Sequence, residues 1–234
     1  MRDQNRPETR TKPQGIGARV LRKEDNRHLL GKGNFVADMS MPGLCEVAFL
    51  RSPVAHAKIS NIKFPSQYAS CIFSREMIDA LDIKADSTLP SYQSSAQPPL
   101  AHEKVRFVGE PVAMTFAATR AEAEDLLEEI SVDYDELPIY HDVHTARAAK
   151  QNFVHEHWNN NAFLTLNTNS DFDKLAAQAE VVVNRKITLS RQCMVPMEGK
   201  AVLAYWDHQA DQLVVVSATQ VPHMIRTAIS LFLN

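Results

Sequence analysis

The stretch that most restricts the fold runs from Thr119 to Ile130. Thr119 and Glu122 form a Thr-x-x-Glu box, in which each side chain can take up the other residue's backbone N–H at a helix start. Ala123, Leu126, Leu127 and Ile130 follow at i, i+3, i+4 and i+7, the spacing of one helix face. Strand-like runs flank this helix, Pro111 to Ala118 before it and Ser131 to Tyr134 after it. A one-faced helix between short strands must bury its stripe on a sheet, so the chain reads as α+β.

The rest of the first half fits that reading. Gly31, Gly33 and Pro42-Gly43 mark turns. Leu44 to Arg51 reads as a strand apolar on both faces, hence buried, and His56 to Ile62 as a second strand. Ser66 to Asp82 predicts a short strand leading into a helix. Residues 84–103, rich in Ser, Pro and Gln, predict an irregular surface loop. Lys104 to Phe107 and Pro111 to Ala118 are strands around a turn at Gly109.

Gln151 to Asn169 is rich in Asn and predicts a linker. Beyond it a helix capped by Ser170 places Phe172, Leu175, Ala176 and Ala179 on one face. Val181 to Leu189, Ala201 to Trp206 and Leu213 to Ser217 suggest a three-stranded antiparallel meander. Asp207 to Asp211 joins the last two strands. Pro222 opens a final helix, with Met224, Ile225, Ala228 and Phe232 inward. The expected organisation is a disordered lead-in over 1–14, a domain over 15–148, a linker over 149–169 and a second unit over 170–234. A meander with one helix on each side leaves sheet edges open, so that second unit is expected to be incomplete.

The 234 residues are 44% hydrophobic and 23% charged, ordinary values for a globular protein. The net charge of −3 gives no reason to expect nucleic acid or an anionic membrane as a partner. Residues 1–14 lack the apolar stretch of a signal peptide, and no apolar run reaches the roughly 18–20 residues of a membrane span. Cys45, Cys71 and Cys193 stand far apart, which argues against a zinc or iron–sulfur site and for a reducing, cytoplasmic setting.

Autonomous catalytic machinery is not visible. Gly15-Ile16-Gly17 is too short for a phosphate loop, and neither a Gly-x-Ser-x-Gly elbow nor His-Glu-x-x-His occurs. His155-Glu156-His157 could suggest a metal, but in an Asn-rich linker it reads as solvated. Asp133-Tyr134-Asp135-Glu136 reads as a solvated acidic turn.

Several ordered motifs carry a resemblance. Gly31-x-Gly33-x-Phe35-x-x-Asp38, Pro42-Gly43, Leu50-Arg51-Ser52-Pro53-Val54-Ala55-His56-Ala57 and Val105-Arg106-Phe107-Val108-Gly109-Glu110-Pro111-Val112-Ala113 resemble the opening of the molybdenum hydroxylase large subunit. That is the family of xanthine dehydrogenase, aldehyde oxidase and aerobic carbon monoxide dehydrogenase. The helix at Arg120 to Ile130 and the Val132–Pro138 run match in order and spacing. Arg191 to Lys200, with its Pro196-Met197-Glu198, and Ala218-Thr219-Gln220-Val221-Pro222-His223 resemble two later segments.

The resemblance implies an α/β hammerhead domain followed by the incomplete start of a molybdopterin-binding domain. It places Gln192, six residues before Glu198, beside the molybdenum centre as a neutral amide donor. It implies no catalytic residue here, because the family's Gly-Gly-x-Phe-Gly loop and late Gly-Glu segment have no counterpart in this sequence. Arg51 and His56 are expected to be structural, Glu198 to bond backbone, and Arg106 and Glu110 to form an exposed pair. A complete enzyme of this type uses the molybdenum cofactor (molybdopterin), with FAD and [2Fe-2S] clusters on a medium and a small partner subunit. The expected role is the N-terminal part of such a large subunit, completed by its remainder. The alternative is a non-catalytic assembly or interaction module.

Overall fold

The structure is a computed structural model that describes residues 15–18, 20–167, 171–190 and 192–233. The expected lead-in over 1–14 and the Ser170 cap lie outside the described residues. Two compact units are distinguishable: Met41–Val195 with Gln220–Asn234, and Met1–Ser40 with Pro196–Thr219.

In chain order the elements begin with helix α1 (Asp25–Leu29) and strands β1 (Glu46–Arg51), β2 (Ala57–Lys63), β3 (Ile72–Ser74), β4 (Ile83–Ala85) and β5 (Ser95–Gln97). Then come β6 (Lys104–Val105), β7 (Pro111–Ala117), α2 (Arg120–Glu128), β8 (Ser131–Glu136), α3 (Val143–Ala148) and α4 (Phe172–Gln178). Strands β9 (Val202–Asp207) and β10 (Gln212–Ser217) and helix α5 (Pro222–Leu233) complete the set.

In the larger unit, β7 is the central strand of an antiparallel sheet in the order β1-β7-β3. A second antiparallel sheet has the order β6-β2-β8. Neighbouring residues on a strand point to opposite faces, and β7 uses both. Val112 joins Ala57, Ala101 and Val105 in one buried cluster, while Ala113 joins Ile72 and Ile130 in another. Ile62 and Val132 pack against both clusters, so the two cores share a wall. Helix α2 starts as its sequence predicts: Thr119 Oγ1 accepts from Glu122 N (3.3 Å) and the Glu122 carboxylate accepts from Thr119 N (3.1 Å). The buried Thr115 hydroxyl of β7 donates to the Ala123 carbonyl at 2.6 Å, tying helix to sheet.

Several expectations need correction. The outer face of β1 is not buried, since Val47 and Phe49 are 39% and 42% exposed. No α-helix forms over 66–82; short 3-10 turns lie on either side of β3. There the Arg75 guanidinium donates to the carbonyls of Ile78 and Ala80 and pairs with Asp82, taking up backbone acceptors by side chain. The loop over 84–103 contains β5, paired with β4. The acidic run 133–136 is strand rather than turn. Within β8, Asp133 pairs with Lys63 at 2.9 Å and Asp135 accepts from the Ser60 hydroxyl.

The expected meander is a two-stranded hairpin of β9 and β10. Val181 to Leu189 has a strand's alternation but, among the described residues, no strand partner, and Val181, Val183, Ile187 and Leu189 are 76–86% exposed. Alternation supplies a face, but a strand needs a neighbour for its backbone groups. Helix α5 forms as predicted and is anchored in its unit where Leu81 N donates to the Phe232 carbonyl (2.9 Å). Met224 and Ile225 are not inward but 69% and 37% exposed.

The smaller unit holds α1, a 3-10 turn at Val36–Asp38 against β9, and the β9–β10 hairpin. Asp207 caps the hairpin turn by accepting from Gln209 N and Ala210 N. Gly33 permits a close approach, since a Cβ there would lie 3.0 Å from the His28 ring, which stacks on Phe35.

Candidate functional site

Three of the sequence motifs meet at one place in the larger unit. Ser52 N donates to the Glu110 carbonyl (2.9 Å) and Gly109 N to the Ser52 carbonyl (2.8 Å). The Arg51 guanidinium adds a bond to the Gly109 carbonyl at 2.9 Å. Gly109 has φ +93°, a conformation that glycine adopts without the penalty of a Cβ. The third motif closes on the first: Leu137 N donates to the His56 carbonyl (2.8 Å), and the His56 ring Nδ1 lies 2.6 Å from the Pro138 carbonyl. A carbonyl only accepts, so Nδ1 carries the proton and Nε2 is left as an acceptor. The expected structural parts for Arg51 and His56 therefore have definite geometry.

Beneath this clasp lies a cluster of ionisable groups. Glu110 is 7% exposed and accepts from Arg106 N and from the Arg106 guanidinium (3.2 Å). The expected exposed pair is thus largely buried, so each charge depends on its partner. The Lys104 ammonium, also buried, bonds the Phe153 carbonyl at 2.7 Å and Glu156 at 2.8 Å. Burial lowers the pKa of His56, and the cations Lys104 and Arg106 press the same way against its Pro138 bond. Burial, then Arg106, holds His155 down at about 4. The His155 ring is therefore neutral at pH 7, and the shift of His56 favours its neutral form. Among the described residues, four buried side-chain nitrogens have no hydrogen-bond partner: His56 Nε2, His102 Nδ1, Arg106 Nε and His155 Nδ1.

Within His155-Glu156-His157, Glu156 and His157 are exposed, as the solvated reading expects, while His155 is half-buried and the run is docked by specific bonds. Besides the Glu156 pair, His157 Nε2 lies 3.0 Å from the Ser94 carbonyl, which also accepts from Trp158 Nε1 at 2.7 Å. Gln93 extends the seam by donating its amide to the Ala162 carbonyl (2.6 Å). The sequence signal for this docking was Lys104, a cation in a short predicted strand that needs a carboxylate once buried. Among the described residues no group of three or more His, Cys, Asp and Glu could hold a metal.

Gln192 lies elsewhere in the larger unit, exposed on irregular backbone. Among the described residues its carboxamide has no protein partner. Met194 and Val195 beside it are 94% and 73% exposed. Val195 has φ 37°, strained for a β-branched residue. In the smaller unit, Glu198 sits in a bend before β9 and, among the described residues, bonds no backbone, contrary to expectation.

Comparison with known proteins fits this geometry. Residues 30–138 match the family model described as aldehyde oxidase and xanthine dehydrogenase, a/b hammerhead domain, and residues 154–234 match the molybdopterin cofactor-binding domain. The chain is 30% identical to the nicotine 6-hydroxylase large subunit of Paenarthrobacter nicotinovorans, over 94% of this chain and 28% of that one. It is 32% identical to the carbon monoxide dehydrogenase large chain of Afipia carboxidovorans, over 94% of this chain and 29% of that one. The solved quinoline 2-oxidoreductase of Pseudomonas putida 86 superposes with a TM-score of 0.82 at 32% identity, over 91% of this chain and 28% of that one. The chain thus spans under a third of the length of these relatives. The three clasped motifs all fall within the hammerhead match, and with both domain matches in sequence the chain belongs to the molybdenum hydroxylase large-subunit family, of which it represents the hammerhead domain and part of the molybdopterin-binding domain.

Proposed function

We propose that this chain contributes the hammerhead domain and one contact of the molybdenum site to a large subunit whose other cofactor contacts come from further polypeptide. The supporting observation is the exposed, unpartnered carboxamide of Gln192. It is a neutral N–H donor, suited to an oxo ligand on a metal without adding charge. The residues around it fit a single contact rather than a cradle. Met194 and Val195 are 94% and 73% exposed, whereas a cofactor site encloses most of its ligand.

The complete subunit then acts as an oxidoreductase that oxidises a carbon centre with oxygen from water. The bound cofactor supplies the redox chemistry, and electrons pass to [2Fe-2S] clusters and FAD on small and medium partner subunits. This proposal takes residues 15–148 as the hammerhead domain and 170–234 as part of the cofactor domain, joined by 149–169. The setting is cytoplasmic; among the described residues no helix is long and apolar enough to cross a membrane.

The test is to express the chain in a host that makes molybdopterin and to measure molybdenum and pterin per chain. The expected result is far less than one per chain, and no turnover of aldehydes or N-heterocycles with an electron acceptor. Stoichiometric cofactor with turnover would overturn the proposal.

A further inference from the structure

The larger unit leaves one stretch of strand pattern unused. Val181, Val182, Val183, Ile187 and Leu189 are 60–86% exposed, and among the described residues 181–189 make no backbone hydrogen bond. A run of exposed large apolar side chains marks a docking surface, and its pattern selects the mode. In extended form Val181, Val183, Ile187 and Leu189 share one face with Arg185, while Val182, Asn184, Lys186 and Thr188 share the other. One mostly apolar and one mostly polar face is the pattern of a strand in an antiparallel sheet covered on one side. The free N–H and C=O groups of such a strand pair with the open edge of a sheet. A lone neighbouring strand is too little, because a two-stranded ribbon is at best marginally stable. The occupant is therefore a sheet with an open edge and an apolar face.

Charge narrows the choice. Antiparallel pairing with a second copy that sets Val181 against Leu189 and Val183 against Ile187 also sets Arg185 against Arg185. Parallel pairing in register repeats that opposition and adds Lys186 against Lys186. Like charges directly opposite destabilise a sheet, so a second copy fits poorly. Arg185 has no carboxylate partner among the described residues, and a strand with an acidic residue facing it supplies one. The chain spans 28–29% of the large subunits it resembles, so further polypeptide completing such a subunit has ample length to carry the sheet.

We propose that residues 181–189 are a donated strand. They add to the open edge of a sheet in the polypeptide that completes the large subunit, beside a strand of alternating apolar residues with an Asp or Glu facing Arg185. This rests on the reading that further polypeptide completes the subunit, and it does not depend on Gln192 contacting the cofactor.

The test is to co-express the full chain, tagged, with the unmatched part of the nicotine 6-hydroxylase large subunit, capture the tag, and follow amide hydrogen exchange. The expected result is a complex in which the amides of 181–189 exchange at least about 100-fold more slowly than in the chain alone. Val183→Asp alters a side chain that is 77% exposed in the free chain, so it should leave the chain folded and weaken the complex at least about 100-fold. Arg185→Glu should weaken it about tenfold, and Lys186→Glu, on the polar face, by less than about threefold. A complex in which 181–189 stay unprotected, or one that Val183→Asp leaves unchanged, would overturn the donated strand and leave the two-piece reading standing. Absence of any complex would overturn both. Protection of 181–189 that appears in the chain alone and rises with its concentration would identify a second copy as the occupant and overturn the proposal.

Discussion

Two stretches of this chain have similar apolar character and opposite fates. Strand β7 (Pro111–Ala117) is paired on both edges, and Val112, Ala113 and Thr115 are fully buried. Val181 to Leu189 alternates just as well, yet it has no ladder partner and its large apolar residues lie in solvent. The difference lies in what surrounds each stretch. Around β7 the chain supplies two neighbouring strands, a capped helix and two apolar clusters; around 181–189 the described residues supply none of these. Strand structure here is a property of partners as much as of sequence.

The sharpest way to break this comparison is to place one charge in each stretch. Val112→Asp puts an unpaired carboxylate where two cores meet and should cost about 4 kcal/mol or more, enough to unfold the hammerhead unit. Val183→Asp, on an exposed site, should change stability by less than about 0.5 kcal/mol. Urea denaturation followed by tryptophan fluorescence reads both, since Trp158 is docked on the Ser94 carbonyl of that unit. Equal losses would contradict the contrast.

A smaller effect separates the two kinds of ion pair. Glu110→Gln leaves Arg106, 18% exposed at its side chain, without its counter-charge, and should cost about 2 kcal/mol. Glu124→Gln breaks the exposed i,i+4 pair with Arg120 and should cost no more than about 0.5 kcal/mol. Next in size is the helix cap: Thr119→Ala removes the acceptor for Glu122 N and should cost about 1 kcal/mol.

A further effect is one of slope. The pKa of His155 is lowered in the folded state, from 6.5 to about 4, so below pH 6.5 the unfolded chain takes up a proton that the folded chain refuses. Stability should therefore be unaffected by this group above 6.5, fall as pH drops from 6.5 toward 4, and level off below. His155→Gln should flatten the decline in denaturation midpoint across that window. An unchanged slope would show that His155 is not held neutral.

Much of the fold was legible in local signals. The Thr119–Glu122 box, the turn at Gly109 and the β9–β10 hairpin all follow from short-range chemistry, and each forms where the sequence places it. What was illegible depended on distant partners. The 3-10 turns around β3 form where Arg75 takes carbonyls a helix would have used. The docking of His155-Glu156-His157 is hidden until Lys104, some fifty residues earlier, is seen to need Glu156. For Arg106 and Glu110 the pairing was legible and the burial was not, because burial depends on distant segments such as Ser52, whose N–H bonds the Glu110 carbonyl. Gln192 is known as a candidate from resemblance alone, and its exposed amide carries no local signature of a site.

The contrast between the two stretches is tested most directly by amide hydrogen exchange on the intact chain, resolved to peptides. Amides of β2 and β7 should exchange many orders of magnitude more slowly than an unstructured peptide, and those of residues 181–189 at nearly the unstructured rate. Protection of 181–189 comparable to β7 would mean that the chain supplies that stretch with a partner of its own, and would contradict the account.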